Sequence, residues 1–195
     1  MNVMRETLLQ KVEALEAEKS QSVRKSPWSM RYHIMPPVGW LNDPNGLCYF
    51  RGRYHVFFQY APFQATGGLK LWGEYTSTDL IHWNYEGAVL FPDSPYDCHG
   101  VYSGSAFVED GKMELFYTGN IKLDGDYDYV KNGRESNTIY TSTEDGIHFS
   151  DKECLMTSKD YPRGYTLHVR DPKVWKQGEH YYMVLGGRKE NDQGA

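Results

Sequence analysis

The chain has 195 residues, of which 39% are hydrophobic and 15% aromatic, enough apolar material for the core of one ordinary globular domain. Its 26 acidic and 21 basic residues leave a net charge of −5 with no dense basic cluster, which argues against a nucleic-acid partner. No apolar run is long enough to span a bilayer, and Met1-Asn2-Val3-Met4-Arg5-Glu6 leads into charged residues rather than an apolar signal core, so neither a membrane partner nor secretion is expected.

Residues 4–22 are predicted as a helix, with Leu8, Leu9, Val12 and Leu15 on one stripe and Glu and Lys elsewhere. Residues 1–26 therefore read as an N-terminal helix and linker. From Trp28 onward the helical period gives way to short aromatic and β-branched runs separated by Gly-containing turns, so residues 27–195 are expected to form an all-β domain. A hairpin signal recurs three times: Arg51-Gly52-Arg53, Asp110-Gly111-Lys112 and Gln177-Gly178-Glu179 each precede a strand-like run, and each Gly accepts the positive φ of a tight turn. Thr76-Ser77-Thr78-Asp79-Leu80-Ile81-His82-Trp83 is echoed 65 residues later by Thr141-Ser142-Thr143-Glu144-Asp145-Gly146-Ile147-His148-Phe149, with one insertion. Self-similarity of this period, with several strands per unit, points to β-propeller blades. One unit runs from about Leu47 to Pro95, a second from about Val101 to Leu155, and a third begins near His168. A closed propeller needs at least four, so roughly half of the ring is expected to lie outside these residues.

Two carboxylates stand out by context. In Gly39-Trp40-Leu41-Asn42-Asp43-Pro44-Asn45-Gly46, Pro44 biases Asp43 toward extended backbone and Asn45-Gly46 tolerates positive φ, so the carboxylate is held at a strand entrance, as a nucleophile requires. Asp171 in Val169-Arg170-Asp171-Pro172-Lys173 repeats the arrangement at the head of the third unit, with Arg170 favouring the ionised form. Both would open the first strand of a blade, and such strands line a propeller's central channel. The sixteen Tyr and five Trp suit either β-sheet packing or stacking on the apolar faces of sugars. Cys48, Cys98 and Cys154 are odd in number and far apart, which fits reduced thiols in a cytoplasm; Asp97-Cys98-His99 lacks further ligands at zinc spacing, and no metal or cofactor is expected.

Trp40-Leu41-Asn42-Asp43-Pro44-Asn45-Gly46, Phe58-Gln59-Tyr60, Leu71-Trp72-Gly73, Tyr102-Ser103-Gly104-Ser105, Phe116-Tyr117-Thr118-Gly119-Asn120 and Arg170-Asp171-Pro172 stand in the order and approximate spacing of glycoside hydrolase family 32. The chain resembles the N-terminal part of that family's catalytic domain, the family of invertases, sucrose-6-phosphate hydrolases, levanases and inulinases. The resemblance implies a five-bladed β-propeller, of which two and a half blades would be present, and cleavage of terminal β-D-fructofuranosyl residues of sucrose, sucrose 6-phosphate or short fructans with retention. It implies that Asp43 is the nucleophile and Asp171 the transition-state stabiliser, with Trp40, Asn42, Gln59, Trp72, Tyr102, Ser103 and Arg170 lining a fructose pocket. Two departures, Tyr102 in place of Phe and Leu71-Trp72-Gly73-Glu74 in place of His-Trp-Gly-His, are expected to alter leaving-group contacts. The family's acid/base Glu, in a Glu-Cys motif, is expected beyond Ala195, so residues 1–195 alone are expected to be inactive. Glu153-Cys154 precedes Arg170-Asp171-Pro172 and is read as a loop rather than as that acid. A fructosyltransferase on the same scaffold and a non-catalytic sugar-binding propeller are the alternatives.

Overall fold

The computed structural model describes residues 3–129 and 132–195. A helix, α1 (Val3–Lys25), precedes ten strands: β1 (Trp40–Phe50), β2 (Arg53–Ala61), β3 (Leu71–Ser77), β4 (Asn84–Leu90), β5 (Val101–Glu109), β6 (Lys112–Lys122), β7 (Arg134–Thr143), β8 (Glu153–Met156), β9 (Tyr165–Gln177) and β10 (His180–Lys189). They make two four-stranded antiparallel meanders, β1-β2-β3-β4 and β5-β6-β7-β8, and a hairpin of β9 with β10. The strand β5 packs against both β1 and β9, so the first strands of the three units are neighbours.

The first strand begins later than the aromatic run at Trp28 suggests. Pro27, Pro36 and Pro37 cannot donate to a ladder, and strand pairing starts only at Trp40. The first unit nevertheless opens before Leu47, because β1 continues through Asp-Pro-Asn-Gly with register shifts at Asn42/Pro44 and Asn45/Cys48 instead of ending there. Likewise β9 starts at Tyr165 rather than His168. The hairpin glycines occupy the tips: Arg51 and Gly52 have φ of 45° and 80°, and Asp110 and Gly111 have 49° and 75°, the pair of left-handed residues that a two-residue hairpin needs.

The internal repeat is visible as hydrogen bonds. Asp79 Oδ1 accepts from the Ile81 and His82 amides and Oδ2 meets His82 Nδ1 at 2.7 Å; Asp145, Ile147 and His148 repeat all three contacts, again with 2.7 Å for the last. Ser77 and Thr143 cap the two turns. The equivalent residues are thus offset by one more position than the alignment on Thr76 and Thr141 suggests, because the extra residue falls before the cap and the turn keeps its own geometry.

Alternation along β2 and β3 gives the first sheet two apolar faces. Phe57 and Trp72 point toward the second sheet and join Val101, Met113, Leu115, Tyr117 and Ile139 in the larger core cluster. Phe58, Tyr60 and Leu71 point the other way, where α1 covers them with Leu8, Leu9, Val12 and Leu15. Glu16 of that helix accepts hydrogen bonds from Tyr60 Oη at 2.8 Å and Tyr85 Oη at 2.7 Å.

A buried ionic cluster ties the connection between the sheets to the second one. Lys152 Nζ reaches Asp97 Oδ2 at 2.6 Å and also meets Asp93 and the Phe91 carbonyl, while Asp97, 0% exposed, accepts from Ser94 and Tyr117 Oη. Asp97 is therefore structural. Lys152→Met would leave two carboxylates without their cation, and because the bonds from Ser94 and Tyr117 remain, the expected loss is about 2 kcal/mol. A lowered thermal midpoint with unchanged KM would show this; an unchanged midpoint would contradict it.

Candidate active site

The backbone at both carboxylates is unusual in the same way. Asp43 and Asp171 have left-handed φ of 43° and 60°, and each sits in a β-bulge just before its proline. Proline's local preference for an extended predecessor is overridden because the bulge places the extra residue, and the missing N–H, where the ladder needs no donor. Asp tolerates this region better than most residues, but strain of this kind persists only where the surroundings over-determine it, and it clusters at functional sites. The device turns both side chains out of the strand plane.

They meet at a cavity of about 310 Å³ lined by Asn42, Asp43, Gln59, Lys70, Tyr102, Ser103, Arg170 and Asp171. Asp43 Oδ2 accepts from Ser103 Oγ at 2.7 Å and from Gln59 Nε2 at 3.1 Å, and Gln59 also donates to Ser103. Asn42 Nδ2 donates to Gln59 Oε1 at 3.1 Å, while Asn42 Oδ1 receives Trp40 Nε1 and Lys70 Nζ, both at 2.9 Å. The amides of Asn42 and Gln59 are thus oriented by donors on one side, and among the described residues no hydrogen bond engages the second carboxylate oxygen of Asp43, a residue of the cavity lining. The Asp171 amide donates to Thr118 Oγ1 at 2.9 Å, and Ser105 Oγ donates to the Pro172 carbonyl at 2.8 Å, which pins the β9 bulge against the second sheet. Desolvation lifts the Asp171 carboxyl above the ordinary aspartate range, with Arg170 opposing and Asp43 reinforcing the shift.

Not every residue named from the sequence lines this cavity. Trp72, 0% exposed, stands in the core with Phe57 and Tyr117 and reaches the site only by donating Nε1 to the Tyr102 carbonyl at 3.0 Å. Strand alternation turns it inward, so it supports Tyr102 from behind. Trp40 remains exposed at the rim, beside Asn42. Glu74 does not reach the pocket either: it is 2% exposed and bonded to His55 Nδ1 at 2.6 Å between the sheets, where burial raises its pKa against the pull of His55. Lys70 was missed because a lone Lys after Gly-Gly-Leu has no local signature, and Arg134, which donates to Tyr102 Oη at 3.3 Å, for the same reason.

Glu153 is exposed on β8, the outermost strand of its sheet, and is not among the cavity residues. Glu153→Gln in a full-length enzyme carrying this segment is expected to change kcat by less than about threefold. A loss of several hundred-fold that activated leaving groups restored would identify it as a general acid.

Known proteins resemble the chain over nearly all of its length. It is 44% identical over 181 residues to a sucrose-6-phosphate hydrolase of Bacillus subtilis (strain 168), covering 92% of this chain and 36% of the relative. A raffinose invertase of Escherichia coli is 44% identical over 179 residues, 91% of this chain and 36% of that protein. The solved structure of sucrose-6-phosphate hydrolase from Lactobacillus gasseri superposes with a TM-score of 0.82 at 35% identity, over 93% of this chain and 36% of that one. The chain thus spans about a third of the length of the relatives it matches. Residues 33–195 match the glycosyl hydrolases family 32 N-terminal domain, and the chain belongs to that family.

Proposed function

We propose that this segment carries the nucleophile and fructose-binding half of a retaining β-fructofuranosidase. The observation that carries the reading is the pair of carboxylates, Asp43 and Asp171, each on a left-handed bulge of a first strand and both facing one polar cavity. The relatives named above, sucrose-6-phosphate hydrolases and a raffinose invertase, support fructosyl transfer to water. The two meanders and the third hairpin are read as the first blades of a five-bladed propeller with its funnel at the cavity, and residues 27–195 as the part of that domain in hand.

In the proposed reaction the free oxygen of Asp43 attacks the anomeric carbon C2 of the fructosyl ring, and the bond from C2 to the glycosidic oxygen breaks. A carboxylic acid elsewhere in the full-length enzyme protonates that oxygen, and its conjugate base then takes a proton from the water that displaces Asp43. Gln59 and Ser103 hold Asp43 in one rotamer, so the attack needs no reorganisation. Asp171, beside Arg170, accepts hydrogen bonds from ring hydroxyls that strengthen as positive charge develops on the sugar. The substrates are sucrose, sucrose 6-phosphate or short fructans. The three cysteines, none of them in a disulfide, fit a reducing compartment such as the cytoplasm.

Proton NMR of the first turnovers of a full-length enzyme on sucrose tests this. β-Fructofuranose is expected to appear first and then mutarotate; initial release of the α-anomer would overturn the covalent mechanism, and accumulation of trisaccharide instead of free fructose would make the enzyme a fructosyltransferase.

A further inference from the structure

Some groups in the site can hydrogen-bond in one sense only. An indole N–H and a lysine ammonium donate and never accept, whereas an ionised carboxylate accepts and never donates. Trp40 Nε1 and Lys70 Nζ both meet Asn42 at 2.9 Å, so the atom they share is its oxygen Oδ1, and Nδ2 is left to donate to Gln59 Oε1 at 3.1 Å. At the other end Asp43 Oδ2 accepts from Gln59 Nε2, also at 3.1 Å. Lys70, Asn42, Gln59 and Asp43 thus form one run of donors and acceptors whose sense is the same at every link.

The two donors at the head of the run are not equivalent. Trp40 is 38% exposed at the rim, where water competes for its contacts. Lys70 is half-buried, and its ammonium stands 5.7 Å from the centroid of the Trp40 ring. Among the described residues no carboxylate forms an ion pair with it. Partial burial pulls its pKa below the ordinary lysine value, with Asp43 opposing. The Lys70 carbonyl accepts from the Val101 amide at 2.9 Å, which fixes the backbone carrying the ammonium to the start of β5, the strand that bears Ser103.

While Asp43 is an anion it imposes the same sense on Gln59 from its own end. In the proposed reaction that anion disappears. The unengaged oxygen, Oδ1, attacks C2, the electron pair of the bond from C2 to the glycosidic oxygen leaves with that oxygen, and Oδ2 becomes the carbonyl oxygen of an ester. Water then displaces the ester, and the C2–Oδ1 pair returns to the carboxylate. Between these two events the sense of both amides is held from the head of the run.

We propose that Lys70 is a positioning residue for the nucleophile: through Asn42 it keeps the Gln59 N–H on Asp43 Oδ2 in both half-reactions, so the donor that steadies the attacking carboxylate is still in place when the same carboxylate must leave. A donor held ready at the atom where charge returns needs no reorganisation at that moment. The proposal rests on the reading of Asp43 as the nucleophile.

Steady-state kinetics on sucrose in the full-length enzyme test this with Lys70→Met, the donor-only Lys70→Arg, the acceptor-only Lys70→Glu, and Lys70→Met combined with Gln59→Leu. Lys70→Met is expected to lower kcat about tenfold with KM within about twofold of wild type, the scale of one charge-assisted hydrogen bond. Lys70→Arg is expected to recover kcat to within about threefold of wild type, because a guanidinium also only donates. Lys70→Glu is expected to fall below Lys70→Met, because a carboxylate there turns Asn42 Nδ2 toward itself and away from Gln59. In the Gln59→Leu background, where the run is already cut, Lys70→Met is expected to cost less than about twofold more. An equal, additive loss in that background would show that Lys70 acts directly on the substrate or the fold and would overturn the proposal. So would a kcat of Lys70→Met within about twofold of wild type, or a rise in KM with kcat intact. If the thermal transition of the Gln59→Leu enzyme is lost, the order of kcat, Arg above Met above Glu, decides alone, and any other order overturns the proposal. Near-wild-type turnover by Asp43→Asn would remove the nucleophile reading itself, a failure separable from silence at Lys70.

Discussion

Asp43→Asn is expected to lower kcat on sucrose by on the order of 10⁴-fold or more while leaving the thermal midpoint of a full-length enzyme nearly unchanged. Asn is isosteric and shares with Asp a tolerance for left-handed backbone, so the bulge at φ 43° should survive. The amide has no free anionic oxygen to attack C2. It can still accept one bond from Ser103 or Gln59, so the pocket keeps its shape and KM should move little. Rate constants are measured by coupled glucose release, with circular dichroism to confirm the fold. Near-wild-type turnover would rule out Asp43 as the nucleophile.

The second large effect is expected at Asp171. Asp171→Asn should cost roughly 10²- to 10³-fold in kcat, the scale on which loss of one preorganised electrostatic contact is felt. A rise in KM with kcat intact would demote it to a residue that only binds the ground state. Its titration gives an independent readout. Desolvation raises the folded-state pKa, so the ionised and active form is lost as pH falls at a higher pH than for an ordinary aspartate, and the acidic limb of the kcat/KM profile should be displaced upward accordingly. Arg170 opposes that shift, so Arg170→Gln should move the limb further up. The linkage to stability has the opposite sense: burial disfavours the charged carboxylate, and the folded state loses stability as pH rises through the raised pKa.

Much of the strand scaffold was legible from local chemistry. Arg51-Gly52 and Asp110-Gly111 mark hairpins because few other dipeptides accept two left-handed residues, and the twin Asp-His turns betray the repeat because the same side chains satisfy the same amides. The two principal carboxylates were legible for a related reason, since Asp-Pro at the head of a unit is rare enough to notice twice. The backbone at those positions was not legible. Pro44 and Pro172 argue for extended predecessors, and only pairing with β2 and β10, many residues away, creates the bulges. Trp72 illustrates a different limit. A motif fixes its position in the chain, but the phase of β3 against β2 decides which face it takes, and that phase sends it into the core. Lys70 and Arg134 come from different sheets and reach the site only when β3 and β7 are in place, so no window of sequence contains their relationship.

The placement of α1 bears on how such a chain can be made one sheet at a time. Synthesis delivers the helix before the first meander, and domains gain structure in the order in which they emerge. Because Leu8, Val12 and Leu15 cover Phe58, Tyr60 and Leu71, one face of that meander is shielded as soon as it pairs, by a partner already outside the ribosome. Only the face bearing Phe57 and Trp72 must wait, and the second sheet that will cover it follows directly in sequence. A helix made before the sheet it covers therefore limits the apolar surface that the first meander can show to its neighbours.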